Sequence, residues 1–351
     1  MNIDLKDKTL SELEEIVVGL DQRKFLAGYI FNFIHVKNIS QISEITTLSK
    51  AFRDKLIAEG YYISNLEISQ KQSDKDRTVK YLFTLEDNSQ IESVLLHDGK
   101  RKTLCVSTQV GCAMDCAFCA TGKLKFTRNL SPGEIIDQVN KAEADAGKIS
   151  NLVYMGMGEP LLNYSAVMKS IGILNHEKGK NIGIRHITVS TCGIVPMIEK
   201  LGDESLRPRL AISLNAPENT LRSRIMPINK KYPLPELINA VEKYQKKTHQ
   251  RVTFEYVMIK DFNDSVQCAQ KLEKLLRNIS CNINLIEYNS HPYSRFKGSG
   301  KDAMQRFASV LNDSGIETII RFKMGREINA ACGQLGADWL KKIKEIEIND
   351  K

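Results

Sequence analysis

The sequence predicts an α/β fold: a full or partial (β/α) barrel preceded by a small helical domain and a short β-hairpin. Three observations carry this. Beyond Arg101, short apolar runs alternate with helical patterns, which implies a parallel sheet. The polar and glycine-rich segments "MGMGEP", "STCG", "SLNAP" and "EYN" fall just after apolar runs, and ligand chemistry at the carboxyl ends of several strands is barrel behaviour. The Gly-rich first turn usual in a doubly wound open sheet is missing.

Residues 1–60 read as the helical domain. "SELEEIVVGL" begins with Ser11 as N-cap and Glu14 as its capping-box partner. Phe25, Tyr29, Phe33 and Ile34 share helical spacing, and "SKAFRDKLIAEG" closes at Gly60. Such a domain serves as a structural cap or as an RNA-contacting module. Over residues 61–100 the period falls to two. "TVKYLFTLEDNSQIESVLL" alternates across a polar turn at Asp87, Asn88 and Ser89, which predicts a hairpin linker. Alternation puts Glu92 on the face of Val94 and Leu96, so its carboxylate points to a semi-buried side.

Residues 101–335 form the predicted barrel, with strands at "TLCVS", "NLVYM", "HITVS", "RLAIS", "TFEYVMI", "NINLIEY" and "TIIRF". The clearest helix is "SPGEIIDQVNKAEADAG": Ser131 caps it, Pro132 takes its first position, Glu134 completes the box and Gly147 ends it. Further helices follow at "LPELINAVEKYQKK" and "SVQCAQKLEKLLRN", and residues 336–351 remain as a tail.

The 351 residues are 42% hydrophobic and 26% charged, ordinary for a globular protein. The N-terminus has no apolar signal core and no apolar run nears the length of a membrane span, so the cytoplasm is the expected compartment. Eight cysteines there are poor candidates for a disulfide framework and point instead to metal or redox chemistry. A net charge of +8 favours a polyanionic partner such as nucleic acid.

Four cysteines crowd into "CVSTQVGCAMDCAFCATG", and Cys112, Cys116 and Cys119 have the spacing C-x3-C-x2-C. Three thiolates so close can wrap one soft-metal centre. A structural zinc would need a fourth closed ligand and usually a second C-x2-C pair, which is absent. An electron-transfer cluster would also take four cysteines, with Cys105 as the remaining donor. Three ligands alone would leave one iron open to a substrate. Cys192, Cys268 and Cys281 sit in apolar-patterned segments and read as packing residues.

The motif, with Phe118 before its last cysteine and "MGMGEP" after the next strand, resembles the radical S-adenosylmethionine (SAM) enzymes. Together with "SLNAP", "MPINKKYP" and "AACGQL" it is similar to the RlmN-type RNA adenine methyltransferases, over about Thr78 to Leu335. That resemblance implies a barrel of radical SAM type. It also implies a four-iron four-sulfur (4Fe-4S) cluster on Cys112, Cys116 and Cys119, two SAM molecules per methylation, and a flavodoxin- or ferredoxin-type reductant. The implied substrates are adenine 2503 of 23S ribosomal RNA and adenine 37 of transfer RNAs, each methylated at carbon 2. A monomer without membrane attachment is expected.

The family pattern implies SAM contacts at Gly158, Glu159, Ser190, Ser213, Leu214, Asn215 and Asn289. Asn215 stands where the family usually has His, and an amide cannot carry a proton. By the same resemblance Cys332 carries a methyl group, Glu92 accepts a proton, and Cys105 resolves a protein–RNA crosslink through a transient disulfide with Cys332. The chemical need for this route is plain: carbon 2 of adenine is not a nucleophile, so direct displacement at a sulfonium methyl fails. Basic residues at Lys123, Lys125, Arg128, Arg207, Arg209, Arg222, Arg224, Lys230, Lys231, Arg295, Lys297 and Lys301 are expected to ring the barrel mouth and grip RNA phosphates. Rival readings are a Cfr-type enzyme acting at carbon 8 of the same ribosomal adenine, and a non-catalytic RNA-binding protein with a structural metal site.

Overall fold

The computed structural model describes residues 2–291, 294–321, 324–325 and 327–341. Most of the expected tail therefore lies outside the described residues.

Three helices open the chain: α1 (Leu10–Gly19), α2 (Leu26–His35) and α3 (Lys50–Ala58). The N-cap of α1 is Thr9, not Ser11: its hydroxyl accepts from the Glu12 N–H while the Glu12 carboxylate accepts from the Thr9 N–H. In α2 the core face is Ala27, Ile30, Phe31 and Ile34, whereas Phe25 and Tyr29 are exposed and meet edge to face. The buried Lys6 ammonium pairs with Asp137 at 2.6 Å and also donates to the Ser64 carbonyl, fastening this region to the barrel.

Ten strands then make one sheet. β1 (Glu67–Ser73), β2 (Val79–Thr84) and β3 (Gln90–Asp98) are antiparallel and continue into β4 (Arg101–Cys105). The expected turn between β2 and β3 is present, with Asn88 left-handed at φ 63 and the Ser89 N–H held by Asp87. The stretch expected as a hairpin linker thus extends the main sheet.

From β4 onward the neighbours are parallel: β5 (Asn151–Tyr154), β6 (Ile187–Thr191), β7 (Arg209–Ser213), β8 (Val252–Met258), β9 (Cys281–Glu287) and β10 (Thr318–Arg321). Helices cross between them: α4 (Pro132–Ala146), α5 (Tyr164–Asn175), α6 (Val195–Asp203), α7 (Asn219–Ile225), α8 (Leu234–Thr248), α9 (Val266–Leu276) and α10 (Lys301–Asp313). The Ser131 capping box and Pro132 start α4, and Gly147 caps it, as the sequence predicts. Among the described residues β10 does not pair back with β4, so the barrel is partial.

Strand register fixes one polar face. Cys105 stands opposite Val153, Ser213 opposite Glu255, Glu255 opposite Asn284, and Asn284 opposite Ile319. Two residues further along β10, Arg321 shares that face with Ile319. The other faces of these strands are Leu104, Leu152, Val189, Ile212, Phe254 and Ile283, fully buried under the helices. No helix among the described residues is long and apolar enough to cross a membrane.

Candidate active site

The three motif cysteines lie on the loop that follows β4. Backbone bonds fix its path: the Ala117 N–H donates to the Ile225 carbonyl at 2.9 Å and the Cys119 N–H to the Cys116 carbonyl at 3.1 Å. Gly122 permits the closing turn, since a Cβ there would meet the Cys116 nitrogen at 2.9 Å. Burial pushes the Cys112 thiol up to about 12, and the neighbouring Cys119 adds to the rise. Cys116 is raised well above its ordinary value, first by burial and then by Cys119 and Cys112. Thiols raised in this way must give up their protons for a metal to bind them.

As the side chains lie, no three His, Cys, Asp or Glu groups among the described residues close on a single ion. A four-iron cluster is wider than an ion and offers each thiolate its own iron, so its ligands need not converge on one point. The donor set therefore fits a cluster better than a structural zinc.

Cys105 ends β4 away from that trio. Burial raises its thiol first, a charge on Cys332 raises it further, and Arg321 opposes both. Cys332 is open to solvent, yet surrounding protein raises its thiol as well; Arg321 lowers it, while Glu255 and Cys119 raise it. The polar barrel face thus brings together Cys105, Cys332, Glu255 and Arg321. All eight cysteines are free, so the transient Cys105–Cys332 disulfide that the resemblance implies is not formed in this structure, and both are thiols.

The Cys332 loop is sewn to its surroundings by backbone bonds. The Ala120 N–H donates to the Gly333 carbonyl at 2.7 Å and the Thr121 hydroxyl to the Leu335 carbonyl at 2.7 Å, tying it to the cysteine-motif loop. Asn289 donates to the Cys332 carbonyl at 3.3 Å and Gln334 to the Ser290 carbonyl at 3.0 Å, tying it to the end of β9. The Gly336 N–H donates to Glu92 Oε2 at 2.8 Å, tying it to β3.

Glu92 is 3% exposed. Burial raises its carboxyl first, and Lys80 and the Gly336 N–H pull it back. Among the other expected contacts, Glu159 is buried and raised by desolvation, although its two oxygens accept the N–H groups of Leu161 and Cys192. Gly158 is left-handed at φ 99, and a Cβ there would sit 2.6 Å from Gln109 Cβ. Ser190 and Ser213 are half-buried at strand ends, and Leu214 is fully buried.

Asn215 is left-handed at φ 60, a conformation asparagine tolerates. Its Oδ1 accepts from the Val257 N–H at 2.8 Å and its Nδ2 donates to Met226 Sδ at 3.3 Å, so the side chain ties β8 to the segment after α7. Cys192, Cys268 and Cys281 are buried, as packing residues are.

The basic rim needs correction. Arg222 is fully buried: its guanidinium donates to the carbonyls of Leu214, Cys192 and Ser213 and to Asn229 Oδ1. Desolvation lowers it to about 10, which leaves it charged at neutral pH beside Cys116. Arg209 opens β7 and Arg207 precedes it, so both sit at the amino end of that strand. Arg128 binds Asp87 and Glu134, and Lys123 binds Asp115. Lys125, Arg224, Lys230, Lys231, Arg295, Lys297 and Lys301 are exposed.

Comparison with known proteins settles the family. Residues 3–61 match the ribosomal RNA large subunit methyltransferase N-terminal domain, and residues 106–269 match the radical SAM superfamily. A protein of Thermoanaerobacter sp., named "Probable dual-specificity RNA methyltransferase RlmN", is 45% identical over 97% of this chain and 99% of its own. The chain belongs to the RlmN family. A second RlmN, from Anaeromyxobacter dehalogenans and named "Dual-specificity RNA methyltransferase RlmN", is 41% identical over 95% of this chain and 92% of its own. A solved radical SAM methyltransferase from Sphaerobacter thermophilus superposes with a TM-score of 0.91 at 41% identity, covering 95% of this chain and 99% of that one. An RlmN-type chain thus has the mixed α/β fold of radical SAM proteins, with the helical region placed before the sheet.

The sequence did not single out Arg222, Lys80 or Arg321 for the roles their surroundings give them. Lys80 is the one with a readable signal: a charged residue within an otherwise apolar strand run, "VKYLF".

Proposed function

We propose that this protein methylates carbon 2 of adenine in RNA, at adenine 2503 of 23S ribosomal RNA and adenine 37 of transfer RNAs, through a methylated Cys332. The observation that carries this is the stitching of the Cys332 loop to the cysteine-motif loop, with Cys105 across the same polar face.

Cys112, Cys116 and Cys119 would hold the 4Fe-4S cluster, and the strand-end residues from Gly158 to Asn289 would cradle SAM. When bound, the cluster and SAM supply a 5′-deoxyadenosyl radical, with a flavodoxin- or ferredoxin-type protein as electron source. The chain's own residues do the rest. The Cys332 thiolate first takes a methyl group from one SAM by displacement at carbon. That S-methyl group then loses a hydrogen atom, and its carbon joins the adenine ring. One electron would return to the cluster, when bound, and Glu92 accepts the ring proton. The Cys105 thiolate attacks the Cys332 sulfur, breaking its bond to the former methyl carbon and forming a transient disulfide. The released carbon takes up a proton and becomes the new methyl group.

Raised thiols suit this order. Cys105 is half-buried and its thiol is raised, first by burial, so it becomes a nucleophile only on losing its proton. The exposed cations near the strand ends suit a phosphate backbone, and the target base must leave its stack to enter.

The test is reconstitution with SAM and RNA. Wild-type protein should yield 2-methyladenosine by mass spectrometry, and Cys105→Ala should accumulate a protein–RNA crosslink. Formation of 8-methyladenosine alone would assign the chemistry to carbon 8. A colourless protein containing zinc and no iron would end the radical mechanism.

A further inference from the structure

Lys80 is 4% exposed in β2, on a strand otherwise rich in apolar side chains. Its ammonium stands 2.6 Å from Asp338 Oδ2 and 3.4 Å from Glu92 Oε1. Two carboxylates thus share one cation. They differ in access: Glu92 is as buried as Lys80, whereas the Asp338 side chain is 41% exposed. Both border a cavity of about 100 Å³, lined also by Gln72, Gln90 and Trp339.

Burying an ammonium is costly unless it is paired, and an apolar side chain would fill this position more cheaply. Packing therefore does not account for Lys80. The Glu92 carboxylate has one oxygen clamped by the Gly336 N–H, four residues beyond Cys332, and the other turned toward Lys80. Asp338 lies six residues beyond Cys332 and is braced by Asn329 Nδ2 at 2.9 Å. Both carboxylate contacts thus connect Glu92 to the loop that carries the methyl-bearing cysteine.

We propose that Lys80 is the positioning residue for the Glu92 carboxylate, fixing the oxygen that Gly336 does not hold, with Asp338 holding Lys80 from the solvent side. This rests on Glu92 being the proton acceptor. The groups facing that carboxylate are Lys80 from β2, and Asp338 and the Gly336 N–H from the C-terminal loop. Their charges have opposite effects. The Lys80 cation favours ionised Glu92, and the Asp338 anion disfavours it.

Two readouts on the full chain test this. The first is the titration midpoint of Glu92, followed by carbon NMR of glutamate-labelled protein and assigned by its loss in Glu92→Gln. The second is the pH dependence of crosslink decay in the iron-loaded enzyme with SAM and an RNA transcript. Lys80→Met should move both midpoints up by about one pH unit or more, slowing decay on the order of tenfold per unit below the midpoint. Asp338→Asn should move both midpoints down, and Lys80→Arg should restore wild-type values.

Lys80→Met and Asp338→Asn that move neither midpoint, or both the same way, would overturn the proposal; a structural staple predicts no opposite signs. If Lys80→Met fails to fold, Asp338→Asn and Lys80→Arg still decide. If Glu92→Gln leaves crosslink decay unchanged, the proton-acceptor assignment falls, while the NMR midpoints still judge Lys80.

Discussion

Asn289 donates from Nδ2 to the backbone carbonyl of Cys332 at 3.3 Å, joining the end of β9 to the loop that presents the thiol. The expected SAM contact is therefore also a brace for the cysteine proposed to take the methyl group of SAM. A single side chain can thus align donor and acceptor.

Removing that brace should harm chemistry more than folding. One neutral hydrogen bond contributes about 1 kcal/mol to stability, whereas small misplacements of reacting groups cost much more in rate. Asn289→Ala should slow methylation of Cys332 on the order of tenfold and change the melting temperature little. Mass spectrometry of the Cys332 peptide and a thermal melt separate the two. Equal rates in variant and wild type would show that the other bonds suffice to hold the loop.

Arg222 gives the opposite pattern. Its guanidinium satisfies three carbonyls and one amide from the loops after β6, β7 and α7, with no solvent to replace it. Arg222→Met takes a donor from all four buried acceptors and leaves the Leu214 carbonyl only its bond from the Ala216 N–H, which should cost about 3 kcal/mol or more. Because the loop of Cys116 shares this charge, iron content should fall as well. Denaturant unfolding and iron analysis check both effects. Unchanged stability would mean that water enters and takes over the four bonds.

The parts legible in the sequence were those written locally. The cysteine spacing, the Ser131 box and the strand-end glycines each need only a few adjacent residues, and each is where the sequence predicts it. Thr9 and Ser11 show the limit of local reading. Both precede a glutamate by three positions, so spacing offers two frames, and the helix takes the earlier one. Arg222 looked like a rim cation because burial is not a local property. Asp338, the nearer of the two carboxylates on Lys80, lies 258 residues away, which no spacing rule connects. Functional motifs were readable, and the buried charges that support them were not.

Glu255 offers a test by pH. It lies on the polar barrel face, 5% exposed, and accepts from Asn284 Nδ2 at 2.8 Å. Desolvation raises its carboxyl above the ordinary value, against the pull of Arg321 and Asn284. A carboxyl raised in the folded state ionises first in the unfolded chain. The penalty is therefore absent below the unfolded value, grows as pH rises through it, and levels off above the folded value. Glu255→Gln keeps an acceptor for Asn284 and removes the charge. Its melting temperature should match wild type at about pH 4 and exceed it by a few degrees, roughly, at pH 8. A gap that shrinks with rising pH would show instead that the Arg321 cation outweighs burial, and that Glu255 is held as a stable anion beneath Cys332.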